Sequence, residues 1–137
     1  MTVVVTNNTR QRIDQLIIKK SVEATLKYCR KKGDVSVVII GDKRMRNLNH
    51  TYRGYDKITD VLSFPESNVS EDNFLGEIFI DYNVIKIQAK KFSPSVRFEL
   101  AFIVIHGTLH LLGYEDATRK GSDLMEKVGS TIIKKII

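Results

Sequence analysis

Residues 100–105 read Leu-Ala-Phe-Ile-Val-Ile, six positions without a polar side chain. That run constrains the fold more than any other feature of the chain. Ser93 and Pro94 ahead of it offer a helix N-cap and a first-turn proline, and Gly113 behind it offers a stop. A helix is therefore expected over residues 94–112. A surface helix shows one apolar stripe, whereas a helix apolar on all sides must be covered on all sides. It needs a sheet beneath it and further helices around it, and the rest of the sequence supplies both. Short β-branched or apolar runs at 2–6, 35–40, 60–64 and 75–81 read as strands, with a polar loop over 66–73. Asn8 with Gln11 reads as a capping pair for a helix carrying Ile18, Val22, Leu26 and Cys29 and stopping at Gly33. Asp42 would cap a helix with Met45, Leu48 and Tyr52 facing inward. Tyr82–Phe92 fits another, and Met125, Val128, Ile132 and Ile136 mark the last. The expected fold is α/β (α+β). It is one domain over residues 1–137, a roughly four-stranded mixed sheet packed with about five helices.

Composition removes whole classes of function. With 42% hydrophobic residues, two prolines and eight glycines in 137 positions, neither disorder nor a collagen-like repeat is expected. Cys29 is the single cysteine, which excludes an intramolecular disulfide and an all-cysteine zinc cluster. Six apolar residues in a row are far too few to span a membrane. The first eight residues carry neither a basic stretch nor a long apolar one, so no secretory signal is expected and a cytoplasmic protein is. Charge is uneven. Residues 1–55 hold 12 Lys and Arg against four acids, and residues 56–137 hold 10 against 12. A basic front half suggests a polyanion partner, although Lys19–Lys20 and Arg30-Lys31-Lys32 also suit a solvated helix face.

The apolar helix ends in His106-Gly-Thr-Leu-His110-Leu-Leu-Gly113-Tyr-Glu-Asp116. Histidines at i and i+4 stand on one face, one turn apart, where two imidazoles can share a tetrahedral metal. Gly113 can adopt a positive φ and swing the chain back, and Asp116 then stands where a third ligand would close the site. Three protein ligands leave a position open for water, as hydrolysis requires. Gly107 costs about 1 kcal/mol in a helix interior relative to alanine. Room for a substrate is one gain that would offset this, and close packing of helix on sheet is the other. The metalloprotease helix shares the His spacing but places its Glu base directly after the first His. Here that position is Gly107, which disfavours a protease.

A second constellation runs over residues 48–65, Leu-Asn-His-Thr-Tyr-Arg-Gly-Tyr-Asp-Lys-Ile-Thr-Asp-Val-Leu-Ser-Phe-Pro. Arg53 at a helix end beside Gly54 could offer its planar donor fork to a phosphate. Asp56, Thr59 and Asp60 read as turn and strand-entry residues, Tyr52 as core, and His50 as an exposed helix residue. Together the two constellations resemble the YbeY family of bacterial rRNA maturation factors, which are metal-dependent endoribonucleases. Residues 106–114 follow its H-G-x-L-H-L-x-G-Y-D-H hallmark, and residues 48–65 reproduce its L-N-x-x-Y-R-G-x-D-x-x-T-D-V-L-S-F-P signature.

The resemblance implies a single α/β domain with one metal, usually zinc, held by three histidines beside a basic cleft. By position, His106 and His110 are two of the ligands, and Arg53 lines the cleft for RNA. It also implies single-stranded rRNA as substrate, processing of the 16S 3′ end, and the ribosome or small-subunit proteins as partners, with no membrane. The chain departs at the third histidine, where Glu115-Asp116 stands in place of Asp-His. Asp116 is the expected replacement ligand, with ligation by Glu115 or a weakened metal site as the alternatives. An oxygen ligand would admit manganese, iron or nickel beside zinc. Two other readings remain at this point: a metal-dependent hydrolase of another substrate, and a non-catalytic ribosome-assembly factor with a structural metal.

Overall fold

In a computed structural model that describes residues 2–67 and 73–137, the four runs become β1 (Val3–Asn7), β2 (Asp34–Ile40), β3 (Val61–Pro65) and β4 (Phe74–Asp81). They pair in the order β1-β2-β4-β3. β1, β2 and β4 are parallel and β3 runs antiparallel along β4, so the sheet is mixed as expected. Part of the anticipated 66–73 loop lies outside the described residues. The five expected helices are α1 (Gln15–Tyr28), α2 (Asp42–Arg53), α3 (Tyr82–Phe92), α4 (Val96–Leu111) and α5 (Arg119–Ile133).

Side-chain alternation along the strands divides the interior into two unequal layers. Val35, Val37 and Ile39 of β2 and Ile78 and Ile80 of β4 point into a large core that α1, α3, α4 and α5 cover. Val38, Ile40, Leu62 and Phe79 point the other way, into a small cluster closed by Met45 of α2. α4 lies inside the large core. Leu100, Ala101, Ile103, Val104, Ile105 and Leu109 are buried on it, while Phe102 is only partly buried and lies on the face that leads to His106 and His110, so the cover expected on all sides is open there. Each large aliphatic side chain among them contributes about 1.5–3 kcal/mol by leaving water.

Gly107 is where α4 meets the sheet. A Cβ there would lie 3.0 Å from Ile78 Cγ2 and 3.2 Å from both Ser63 Oγ and Val61 Cγ2. Ser63 Oγ also donates to the Gly107 carbonyl at 2.9 Å. Of the two readings of this glycine, close helix–sheet packing is the one the geometry supports.

Several boundaries differ from the sequence reading, for local reasons. α1 is capped by Asp14, whose carboxylate accepts from Ile17 N, and not by Asn8. The preceding residues close a turn of their own, in which Asn7 Oδ1 accepts from Thr9 N at 3.0 Å and Asn7 Nδ2 donates to Gln11 O at 2.8 Å. Such side-chain bonds compete with a helix start. The chain leaves α1 at Arg30, with φ 55, before reaching Gly33. Gly41 rather than Asp42 occupies the cap of α2. Ser95 caps α4, because the Ser93 hydroxyl is engaged by the Glu99 carboxylate. Ile136 packs against the core just beyond the end of α5. No helix among the described residues is long and apolar enough to cross a membrane.

Candidate metal centre

α4 delivers His106 and His110 to the edge of the sheet beside β3, and its termination delivers the third group. At Gly113, φ is 97°, a conformation side chains other than hydrogen rarely adopt. Tyr114 N donates to Leu109 O at 3.0 Å and Gly113 N donates to His110 O at 3.1 Å, the paired bonds of a Schellman motif. The chain thereby turns back over the last turn of the helix. Tyr114 presents its carbonyl to His110 Nδ1 at 2.9 Å, and Asp116 arrives opposite both rings.

The His110–Tyr114 bond decides a tautomer. A carbonyl can only accept, so Nδ1 carries the hydrogen and Nε2 keeps its lone pair toward the cleft. His110 Nε2 lies 3.1 Å from His106 Nε2. Asp116 Oδ2 lies 3.3 Å from His106 Nε2 and 3.5 Å from His110 Nε2. Ligands about 2.0–2.1 Å from a tetrahedral zinc stand about 3.3–3.4 Å from one another. The triangle of donor atoms therefore already has the dimensions of one face of such a site, and two nitrogens with one oxygen suit a divalent metal. His106, His110 and Asp116 form a group that could hold one, while Glu115 lines the cleft outside that group.

Burial, followed by the neighbouring His110, pushes the His106 imidazole below its ordinary range. Asp116 and Asp60 pull the other way without cancelling the shift. A neutral imidazole is the form that ligates. The rings are partly exposed, at 27% each, so the centre is open to a cleft of about 730 Å³.

Arg53 lines the same cleft from the opposite side, at the C-terminus of α2, where Gly54 with φ 78 ends the helix. Its guanidinium lies 5.5 Å from the centre of the Tyr55 ring. Asp56 is an exposed turn residue, as read, and accepts from Arg46 at 2.7 and 3.1 Å. His50 is exposed on α2, also as read. Tyr52 is not core: it is 65% exposed and lines the cleft. The spacing from Met45 and Leu48 predicts an inward ring, but only Met45 and Asn49 of α2 are buried.

Asp60 does more than enter a strand. It lines the cleft, and its Oδ2 accepts from Gln88 Nε2 at 3.2 Å; Gln88 Nε2 also donates to the buried Glu99 at 2.9 Å. Phe102 and Tyr114 complete the wall. Tyr114 belongs to the 106–114 motif, whereas neither the Asp60–Gln88 pair nor Phe102 carries a sequence signal as part of the cleft, since those contacts join separate elements.

Comparisons with known proteins converge on one family. The family profile described as Endoribonuclease YbeY matches residues 4–137. Endoribonuclease YbeY of Acholeplasma laidlawii (strain PG-8A) is 34% identical over 114 residues, covering 83% of this chain and 82% of the relative. Its counterpart in Carboxydothermus hydrogenoformans is 37% identical over 120 residues, covering 85% and 84%. The solution structure of TM1509 from Thermotoga maritima superposes with a TM-score of 0.67 at 26% identity, covering 98% of this chain and 87% of that one. By a profile match spanning nearly every residue and by relatives aligned over most of their length, the chain belongs to the YbeY endoribonuclease family.

Proposed function

We propose that the chain is a metal-dependent endoribonuclease that hydrolyses a phosphodiester of single-stranded RNA, with His106, His110 and Asp116 holding the metal and Arg53 engaging the phosphate. The observation that carries the reading is the donor triangle of 3.1, 3.3 and 3.5 Å at the head of a buried helix. Zinc is the first candidate for two imidazoles and a carboxylate, and the harder oxygen ligand admits manganese, iron or nickel. A divalent metal there supplies Lewis acidity toward a phosphoryl oxygen and lowers the pKa of water.

The chain's own groups do the rest. The Tyr114 carbonyl fixes the His110 ring and its tautomer, so the ligand needs no reorganisation. The Arg53 guanidinium offers a planar pair of donors to the phosphate and balances the charge that grows on it in the transition state. Asp60, tied to Gln88, holds a fixed carboxylate in the cleft wall. The basic front half favours a polyanion, and an unpaired strand can follow a cleft that has no groove-reading element. Family membership supports rRNA as the substrate and the 16S 3′ end as the processing site. The ribosome or its small-subunit proteins are then the partners, in the cytoplasm where rRNA matures.

The test is turnover of an end-labelled single-stranded RNA oligomer by the purified protein, with and without chelator. Internal cleavage that chelator abolishes and a divalent metal restores is expected. Cleavage indifferent to chelator, or none with metal supplied, would contradict the reading.

A further inference from the structure

Two exposed aromatic rings beside the cleft are not explained by packing. Tyr52 is 65% exposed and Tyr55 is 52% exposed, and exposed rings forgo the stabilisation that burial gives them. Tyr52 is nonetheless held in place. Its ring meets Phe64 edge-on with centroids 5.2 Å apart at 66°, and Phe64 meets Phe79 at 5.6 Å and 78°. Phe79 belongs to the small core beneath α2, so Tyr52 is braced from the sheet while lining the cleft it shares with His106 and His110. Beyond Gly54 the chain folds back. The Arg53 guanidinium and the Lys57 ammonium both lie over the Tyr55 ring, each 5.5 Å from its centre.

Charge identifies the occupant. Over residues 42–53, α2 carries four basic side chains and one acid. Arg46 is matched by Asp56, whereas Arg53 and Lys57 make no ion pair among the described residues. The open ring of Tyr52, beside unmatched cations gathered over Tyr55, offers a face for a base and charge for the phosphates that follow it. A ring already held loses little freedom when a base settles on it.

We propose that Tyr52 is a nucleobase-stacking site for the nucleotide beside the scissile phosphate, and that Tyr55 with Arg53 and Lys57 carries the next nucleotide of the strand. The inference rests on the RNA-cleaving reading above and names what holds the strand in register with the metal centre. Stacking reads a base's face and not its edge, so this site grips RNA without choosing sequence.

The chain has no tryptophan, so Tyr52→Trp installs a single reporter. The probes are an octameric oligouridylate and an abasic ribose-phosphate octamer of equal charge. Quenching of Trp emission by the oligouridylate, with at least about fivefold weaker binding of the abasic chain, is expected. Tyr52→Ala should raise KM for oligouridylate cleavage at least about fivefold while kcat changes little, and Tyr52→Phe should restore KM. Equal binding of both probes, or no quenching at saturation, would overturn the proposal. So would a change of Trp emission with protein concentration alone, which would make this face a contact between two copies. If Tyr52→Ala does not fold, the quenching arm decides alone. Base-dependent quenching without cleavage would uphold the stacking site and defeat the nuclease reading; cleavage without base dependence would do the reverse.

Discussion

α4 and α2 reach the same cleft from opposite sides of the sheet and are built in opposite ways. α4 sits in the large core with ten of its 16 residues buried, whereas α2 buries only Met45 and Asn49 and is the one helix on its layer among the described residues. Metal ligands must keep their separation to within a few tenths of an ångström, and a helix packed into the core on its other faces keeps it. Under the proposed function Arg53 and Tyr52 would receive a flexible polymer, and an exposed helix end gives that polymer access. The division of labour is between holding and receiving.

The largest effect expected from this contrast is on the holding side. His110→Ala should abolish stoichiometric metal and lower RNA cleavage by about a thousandfold or more, while the chain stays folded. Gly107→Val probes the fixation itself. With a Cβ already at 3.0–3.2 Å from Ile78, Ser63 and Val61, branching should cost about 1–3 kcal/mol, read as a Tm roughly 5–10 °C lower. An unchanged Tm would mean that α4 is not pressed against the sheet.

The receiving side should respond in activity alone. Arg53→Ala should slow cleavage by about tenfold, on the order of 1.4 kcal/mol of transition-state stabilisation, with Tm hardly moved. A loss of several kcal/mol of stability would make Arg53 structural and erase the contrast.

A smaller effect is expected where α2 joins the sheet. Asp81, buried at the end of β4, caps α3 through Asn83 N at 3.0 Å, and its Oδ2 has no hydrogen-bond partner among the described residues. Burial, with Asp42 of α2 close by, pushes its carboxyl up from 3.8 to about 7. The folded chain therefore holds a proton that the unfolded chain releases, so this residue's contribution is full below about pH 4 and is lost as pH rises toward 7. Asp81→Asn keeps a capping side chain and cannot ionise. Its Tm at pH 8 should rise by about 3–5 °C, and the decline between pH 4 and 7 should flatten.

The same contrast explains what could be read from the chain directly. On α4, burial follows from residues 100–105 alone, and the i,i+4 histidines, the turning glycine and Asp116 follow from fixed helical geometry, so the donor group was legible. On α2, the periodicity that made Tyr52 look buried was a poor guide, because a single helix covering a narrow layer leaves its last turn in solvent. The helix starts lie at Asp14 and Ser95 rather than at Asn8 and Ser93 because those side chains, or their neighbours, bind elsewhere in the turn or across to Glu99. Asp60 looks local in the sequence because its partner Gln88 lies far along the chain on α3. Periodic and short-range features were readable; those made by contact between elements were not.

The central claim is that Asp116, together with His106 and His110, closes a metal site. Metal content per chain, measured by elemental analysis on the wild type, Asp116→Ala and Asp116→His, tests it most directly. The account predicts one divalent metal per wild-type chain, loss in Asp116→Ala and recovery in Asp116→His. An Asp116→Ala protein that keeps its metal in full would contradict it.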